Sequence, residues 1–88
     1  MTVLEKMELI KKIMGKDINF SGCGITLNIW KKNREYIVNQ MIKSSGAAFI
    51  ISLDKAGLEQ FLSSILMNIE NNFSLEEKES RFVISEEK

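Results

Sequence analysis

Cys23 is the side chain of this sequence whose type and setting most invite a test for nucleophilic chemistry. A reactive thiol needs an electropositive, partly exposed setting and usually a histidine base. The chain contains no His, although nearby lysines could lower the pKa of the thiol. A cysteine between two glycines is more often a small turn or core residue. We therefore predict no catalytic residue and no enzyme activity.

Metal and cofactor motifs are also missing from the pattern of residues. Without histidine and with one cysteine, the chain cannot build a structural zinc site. It has no acid-rich glycine loop of the kind that binds calcium. The segment Gly22-Cys23-Gly24 lacks the third glycine and the following helix of a dinucleotide-binding motif. We expect no metal ion and no cofactor.

A basic cluster beside an aromatic residue is the sharpest binding feature. It consists of Trp30, Lys31, Lys32, Asn33 and Arg34. Cations that neutralise phosphate, next to a ring that stacks on a base, are the minimum for nucleic-acid binding. Three lysines in and just after the first predicted helix could extend this patch if that helix packs alongside: Lys11, Lys12 and Lys16. A lysine-rich turn also serves solubility, and edge lysines deter aggregation.

The charge balance argues against strong phosphate affinity. Twelve basic and twelve acidic residues give a net charge of zero, whereas a nucleic-acid-binding domain usually has a clear positive charge. The charges are nevertheless unevenly spread. Residues 1–45 hold eight Lys or Arg against four acids, or +4, and residues 46–88 hold four against eight, or −4. Such a split could steer a charged partner or favour self-contact.

Length and composition indicate one small globular domain. Eighty-eight residues with 44% hydrophobic content support one modest core. A single cysteine excludes an internal disulfide, and the N-terminus has no continuous apolar segment typical of a signal peptide. No window approaches the ~18 apolar residues that a membrane span requires. We expect a cytoplasmic protein without membrane association.

Periodicity predicts the first helix and the strands that follow it. Residues 3–15 carry apolar side chains at spacings of three and four, with Thr2 as N-cap and Glu5 completing a capping box. Residues 18–24 have strand chemistry interrupted by glycines, with a loop as the alternative. Residues 25–30 alternate strictly, which places Leu27 and Ile29 on one face. Residues 35–42 resume an extended pattern after a polar turn.

The second half of the chain begins with an apolar run at residues 47–51, which is consistent with a buried strand. A long helix is predicted over residues 54–72, capped by Ser52 and ending at Asn71-Asn72. Residues 1–73 are expected to form the domain, and residues 74–88 a charged, partly disordered tail. Within this tail, residues 74–77 could begin a short helix, or residues 81–85 could form an edge strand.

Together these elements predict an α+β fold. It has an N-terminal helix, an antiparallel meander of three or four strands, and a long second helix packed on one face of the sheet. The other face of the sheet would then be open. Trp30, Thr26 and Asn28 would lie on it, with Tyr36 or Met41 nearby. An exposed Trp is typical of interface hot spots.

The order of elements resembles small phage-encoded anti-CRISPR proteins that inhibit a CRISPR-associated nuclease. The resemblance covers Leu9 to Val38, about a third of the chain. It consists of a helix ending in Gly15-Lys16-Asp17, an extended piece reaching Ser21-Gly22, then Ile25-Thr26-Leu27-Asn28-Ile29 and Glu35-Tyr36-Ile37-Val38. It implies an inhibitor that occludes a host protein. Such inhibitors are typically strongly acidic, whereas this chain is neutral, and no binding residue carries over.

Our main hypothesis is therefore a non-enzymatic protein-interaction module, in its narrower form a phage or mobile-element inhibitor. The predicted partner-binding residues are Trp30, Lys31, Lys32, Arg34 and Tyr36. One alternative is a small nucleic-acid-binding protein that uses the basic hairpin tip. A further alternative is a homodimeric structural protein, since an open sheet face can pair across a two-fold axis.

Overall fold

Two helices and six strands make up the described part of the chain, residues 2–69 and 72–87 of a computed structural model. In chain order they are α1 (Val3–Ile13), β1 (Asp17–Gly22), β2 (Ile25–Lys32), β3 (Glu35–Ile42), β4 (Ala48–Leu53), α2 (Lys55–Met67), β5 (Phe73–Glu77) and β6 (Arg81–Glu86). The predicted α+β class is confirmed.

Helix α1 begins with the capping box that the sequence predicts. The Oγ1 of Thr2 accepts a hydrogen bond from the main-chain N–H of Glu5 at 3.2 Å, and the Glu5 carboxylate accepts one from the N–H of Thr2 at 3.2 Å. The hydrogen bond from the Thr2 backbone is the first reason that the pKa of Glu5 is lowered. The helix ends at Ile13, two residues before the predicted end at residue 15.

Strands β1 to β4 pair antiparallel in chain order, as one part of a larger six-stranded sheet rather than as the whole of the predicted meander. Cys23 and Gly24 connect β1 to β2 in a two-residue turn with φ of 53° and 73°, as type I′ hairpins require. Asn33, at φ 59°, occupies the left-handed position of the next turn. Residues 17–22 form a strand, so the alternative of a loop over residues 18–24 is wrong. The inward orientation of Leu27 and Ile29 is confirmed.

Strand β4 lies at the edge of the sheet, so its prediction as a buried strand is wrong. The strand order is β4-β3-β2-β1-β6-β5, and five of the six residues of β4 are exposed. An apolar run has the same sequence pattern in a central strand as in an edge strand. Which position it takes depends on strand order, which the run does not encode.

Helix α2 is shorter than predicted. It ends at Met67 rather than near residue 72. Asn68 is its C-cap, and β5 begins at Phe73. Its N-cap is Asp54 rather than Ser52, and the Asp54 carboxylate accepts a 2.7 Å hydrogen bond from the N–H of Gly57. Of the predicted terminus, Asn71 lies outside the described residues and Asn72 precedes β5.

The C-terminal segment differs most from the expectation. The predicted alternative of a short helix that begins at residues 74–77 is wrong, because these residues belong to β5. The predicted strand over residues 81–85 exists as β6, but it is not an edge strand. It lies between β1 and β5, parallel to β1 and antiparallel to β5. The sheet is therefore six-stranded and mixed, whereas the prediction was an antiparallel meander of three or four strands followed by a partly disordered tail.

One core lies between the helices and one face of the sheet. Its buried side chains from the helices are Leu9, Ile10, Ile13, Leu58, Leu62 and Leu66. Its buried side chains from the strands are Ile18, Phe20, Leu27, Ile29, Val38, Phe73, Phe82 and Ile84. Because strand side chains alternate between faces, these positions place both helices on the same side. The opposite side of the sheet is left without a helix.

Candidate interaction surface

The face of the sheet opposite the helices forms a continuous surface, which we call the open face. The pairing of the strands places the following side chains on it: Asn19, Ser21, Thr26, Asn28, Trp30, Ile37, Asn39, Met41, Ile50, Val83 and Ser85. All of them are partly or fully exposed. The predicted positions of Trp30, Thr26 and Asn28 on an open face agree with this arrangement.

Trp30 is the largest side chain of the open face. It is 37% exposed, and its cross-strand partner on β3 is Ile37. Met41, at 47%, and Ile50, at 70%, lie on the same face toward β4. This half of the open face therefore carries exposed apolar side chains on both sides of Asn28 and Asn39. Exposed apolar side chains with polar residues around them are typical of an interaction site.

A row of three asparagines crosses the middle of the open face. Asn19 pairs with Asn28 between β1 and β2, and Asn28 pairs with Asn39 between β2 and β3. The amide nitrogen of Asn19 donates a hydrogen bond to the side-chain oxygen of Asn28. A concavity of about 210 Å³ lies beside this pair, toward β6. The row supplies both donors and acceptors to whatever covers the face.

Charged side chains lie at the ends and edges of the open face rather than in its middle. Lys32 and Glu35 lie at its β2–β3 end, Asp17 and Arg81 lie at the start of β1 and β6, and Glu76 lies on the outer strand β5. Protein interfaces commonly have an uncharged centre and a polar rim. The distribution on this face has the same form.

Strand alternation divides the predicted binding cluster between two sides of the sheet. Trp30 and Lys32 lie on the open face, whereas Lys31 and Tyr36 lie on the helix side, where the Lys31 Nζ is 5.9 Å from the centre of the Tyr36 ring. Arg34 lies in the turn between the two strands. The five residues therefore do not form one surface.

The lysines of α1 and its end do not extend the basic cluster into one patch. Lys16 donates a 2.9 Å hydrogen bond to the Glu77 carboxylate, and the Lys12 Nζ lies 3.9 Å from the same group. Lys11 instead lines a groove of about 440 Å³ with Tyr36 and Lys55, on the same side of the sheet as Lys31. The three lysines are therefore divided between the Glu77 carboxylate and the groove beside Tyr36.

Cys23 is not set up as a nucleophile. The pKa of its thiol is raised, first by partial desolvation and then by the Glu86 carboxylate, whose Oε2 lies 3.9 Å from the Sγ. The main-chain N–H of Cys23 donates to the other carboxylate oxygen at 3.2 Å. The lowering of the thiol pKa by nearby lysines, considered from the sequence, does not occur. The residue is part of a tight turn held by Glu86.

Two further features concern metal ions and membranes. Within residues 2–69 and 72–87, no three His, Cys, Asp or Glu side chains lie together in an arrangement that could hold a metal ion. Neither helix in this part of the chain has the length and apolar character needed to cross a membrane.

The asparagine row was missed in the sequence, although a signal for it was present. Asn19 and Asn28 are equally distant from the turn Cys23-Gly24, and Asn28 and Asn39 are equally distant from the turn Asn33-Arg34. Two-residue hairpin turns fix the register of the strands that they join. The sequence indicated the turns but left their exact length open, so the register could not be assigned.

Comparison of this chain with protein-family models, with curated proteins and with solved structures finds no match.

Proposed function

We propose that this chain is a non-enzymatic protein-interaction module that binds a partner protein through the open face. The observation that carries the proposal is the exposure of Trp30 on a sheet face without helices. Tryptophan is enriched among the few residues that dominate binding energy, because its ring buries a large area at low entropic cost. Ile37 and Met41 lie on the same face.

The distribution of polar groups also supports a protein partner over a nucleic acid. The middle of the open face carries amides and apolar groups, while basic side chains are divided among its rim, the helix side and α1. Phosphate binding depends on several cations that act together. The narrower hypothesis of a phage or mobile-element inhibitor, which follows from the anti-CRISPR resemblance, remains a proposal for the partner's identity.

The test compares partner capture by the wild type, two open-face variants and a control. Trp30→Ala removes the large ring near the β2–β3 end of the face, and Asn28→Lys introduces a charge into the middle of the face. Met67→Ala shortens an exposed side chain on α2, away from the face. Each chain is immobilised and exposed to a bacterial lysate, since the narrower hypothesis is a phage or mobile-element inhibitor, and captured proteins are quantified by mass spectrometry. Circular dichroism verifies that each variant is folded.

We expect Trp30→Ala to lose a partner that the wild type and Met67→Ala both retain. A hot-spot tryptophan contributes about 2 kcal/mol or more, which corresponds to roughly thirtyfold in affinity. Equal capture of every protein by all four chains would contradict the proposal. Titration with labelled DNA at two salt concentrations tests the nucleic-acid alternative, since phosphate contacts strengthen as salt falls.

A further inference from the structure

The outer edge of β4 is a second unpaired surface, which adjoins the open face and shares Ile50 with it. In the described part of the chain β4 pairs with β3 alone and ends the sheet. Three consecutive large apolar residues lie there: Phe49 is 51% exposed, Ile50 70% and Ile51 40%. The unpaired main-chain N–H and C=O groups of an edge strand are a template for pairing with another strand, and exposed apolar side chains favour this pairing.

The hydrogen-bonding groups at this edge can be assigned to particular residues. Ile42 donates its main-chain N–H to the carbonyl of Ala47 at 2.9 Å, so the carbonyl of Ala47 points toward β3. Main-chain groups of successive strand residues point in opposite directions. The N–H and C=O groups of Ala48, Ile50 and Ser52 therefore point outward, away from β3.

This edge lacks the devices by which proteins usually prevent edge pairing. Residues 48–53 contain no charged residue, and the whole chain contains no Pro. The opposite edge strand β5 carries Glu76 and Glu77. Charges, prolines and bulges are the usual protection of edge strands. One edge of this sheet is therefore protected and the other is not.

The helices leave room for a strand to approach β4. Phe49 and Ile51 point to the helix side, because they pair with Gln40 and Val38. Both are nevertheless at least 40% exposed, so α2 does not cover the edge on that side. Ile50 points to the open face, where no helix lies. Among residues 2–69 and 72–87, no helix blocks the approach of another strand to either face of β4.

We propose that β4 pairs antiparallel with β4 of a second copy of this chain, across a two-fold axis at Ile50. This register uses every outward-pointing group: Ile50 opposes the partner's Ile50, Ala48 opposes the partner's Ser52, and Ser52 opposes the partner's Ala48. If Phe49 opposed the partner's Phe49, Ser52 would have no outward-pointing residue of the partner's strand opposite it. If Ile51 opposed the partner's Ile51, the same would hold for Ala48. Pairing joins the two sheets into one continuous sheet.

The side chains of β4 are complementary to themselves in this register. On the helix side, Phe49 opposes the partner's Ile51, and aromatic with β-branched is a favourable cross-strand pair. On the open face, the pairs are Ile50 with its own counterpart and Ala48 with the partner's Ser52. The first charges after the strand are Asp54, which falls opposite the partner's Gly46, and Lys55, which falls opposite the partner's Ser45. No like charges are brought together.

The area available indicates a weak, reversible dimer. At their exposed fractions, Phe49, Ile50 and Ile51 present roughly 300 Å² per chain, taking about 200 Å² for a large side chain. Two chains then bury roughly 600 Å² of side chain plus the strand backbones, below the ~1,200 Å² of a standard interface. Interfaces below that size are typically weak and transient, so we expect a dimer that dissociates in roughly the micromolar to millimolar range. This dimer shares Ile50 with the open face but does not use Trp30, so the Trp30→Ala variant distinguishes it from the proposed function.

Sedimentation velocity from low micromolar to millimolar concentration tests the proposal. We expect the wild type to change from monomer to dimer over this range. Ile50→Lys and Ile50→Glu should each raise the dissociation constant at least about tenfold, because identical charges then face each other across the axis. An equimolar mixture of these two variants should dimerise again, since opposite charges now meet. Restored association also shows that both variants are folded.

Two further variants distinguish edge pairing from other modes of association. Ile50→Pro removes an outward N–H without removing a hydrogen bond to β3, and it should abolish the dimer. Leu75→Lys on β5 and Trp30→Ala on the open face should both leave it intact. The proposal is overturned if the wild type stays monomeric at every concentration. This holds even if the edge then proves to bind an extended segment of another protein. A dimer lost in Trp30→Ala but kept in Ile50→Pro overturns it as well.

Discussion

The Nζ of Lys6 donates a 2.9 Å hydrogen bond to the main-chain carbonyl of Ile69, and this bond connects the first turns of α1 to the segment that follows α2. Lys6 is 8% exposed and is the buried charged residue of the core, while Ile69 is 3% exposed. The bond therefore lies in a largely dry setting, where a hydrogen bond is stronger than at the surface. It holds the two helices together at the end where α2 gives way to β5.

We expect Lys6→Met to lower the free energy of unfolding by about 1–3 kcal/mol, because the buried carbonyl of Ile69 loses a charged donor while the apolar stem is kept. Urea denaturation measures the change. Lys11→Met, on the exposed side of the same helix, is the control and should stay within about 0.5 kcal/mol of the wild type. Equal stability of the two variants would show that the Lys6 bond contributes nothing.

Local patterns predicted the parts of the fold that depend on neighbouring residues. The capping box at Thr2 and Glu5 and the inward alternation of Leu27 and Ile29 were predicted from spacing alone. The exposed position of Trp30 on the opposite face follows from the same alternation. These features need only the 3.6-residue or two-residue period of the chain and a turn nearby.

Features that depend on distant parts of the chain could not be predicted in this way. The parallel pairing of Asp17 with Arg81 and Ile18 with Phe82 joins residues more than sixty positions apart. The charged residues 76–79, three acids and one lysine, precede β6 and suggested a tail, in which a strand over residues 81–85 was only one alternative. A meander of four strands in chain order also ends at β4, and the addition of β6 and β5 makes β1 a central strand without changing the edge position of β4. The exposed edge of β4 was missed because its apolar run was interpreted as a buried strand.

Strand β6 is expected to contribute to the stability of the whole domain. Ile84 is 1% exposed and lies between Phe20 of β1 and Leu75 of β5. Ile84→Ala should lower the free energy of unfolding by about 2–5 kcal/mol, because it removes buried methyl groups and leaves a cavity. Leu75→Ala, at a 36% exposed site of the same hairpin, should cost less than about 1 kcal/mol.

Urea denaturation at neutral pH distinguishes these two outcomes. If residues 81–86 were a frayed segment, both substitutions would leave the midpoint and the slope of the transition unchanged. A large effect of Ile84→Ala with a single cooperative transition shows that the C-terminal hairpin unfolds together with the rest of the sheet.

The reactivity of Cys23 provides a pH-dependent test of the turn between β1 and β2. The thiolate is the reacting species, and its fraction at a given pH falls as the pKa of the thiol rises. Desolvation and the Glu86 carboxylate both raise this pKa. We therefore expect alkylation of Cys23 by iodoacetamide to be slower near pH 8 than that of free cysteine, and to approach the same rate once the pH exceeds both pKa values.

Glu86→Gln should lower the pKa of Cys23 and accelerate alkylation near pH 8, because it removes a negative charge 3.9 Å from the Sγ. The glutamine keeps a side-chain oxygen for the N–H of Cys23, so the turn is retained. Glu79→Gln, in the turn at the opposite end of β6, is the matched control and should leave the rate unchanged. Since Cys23 is the single cysteine of the chain, mass spectrometry follows the reaction without ambiguity. A thiol that titrates below free cysteine, or one that does not respond to Glu86→Gln, would contradict this account and reopen a nucleophilic role for Cys23.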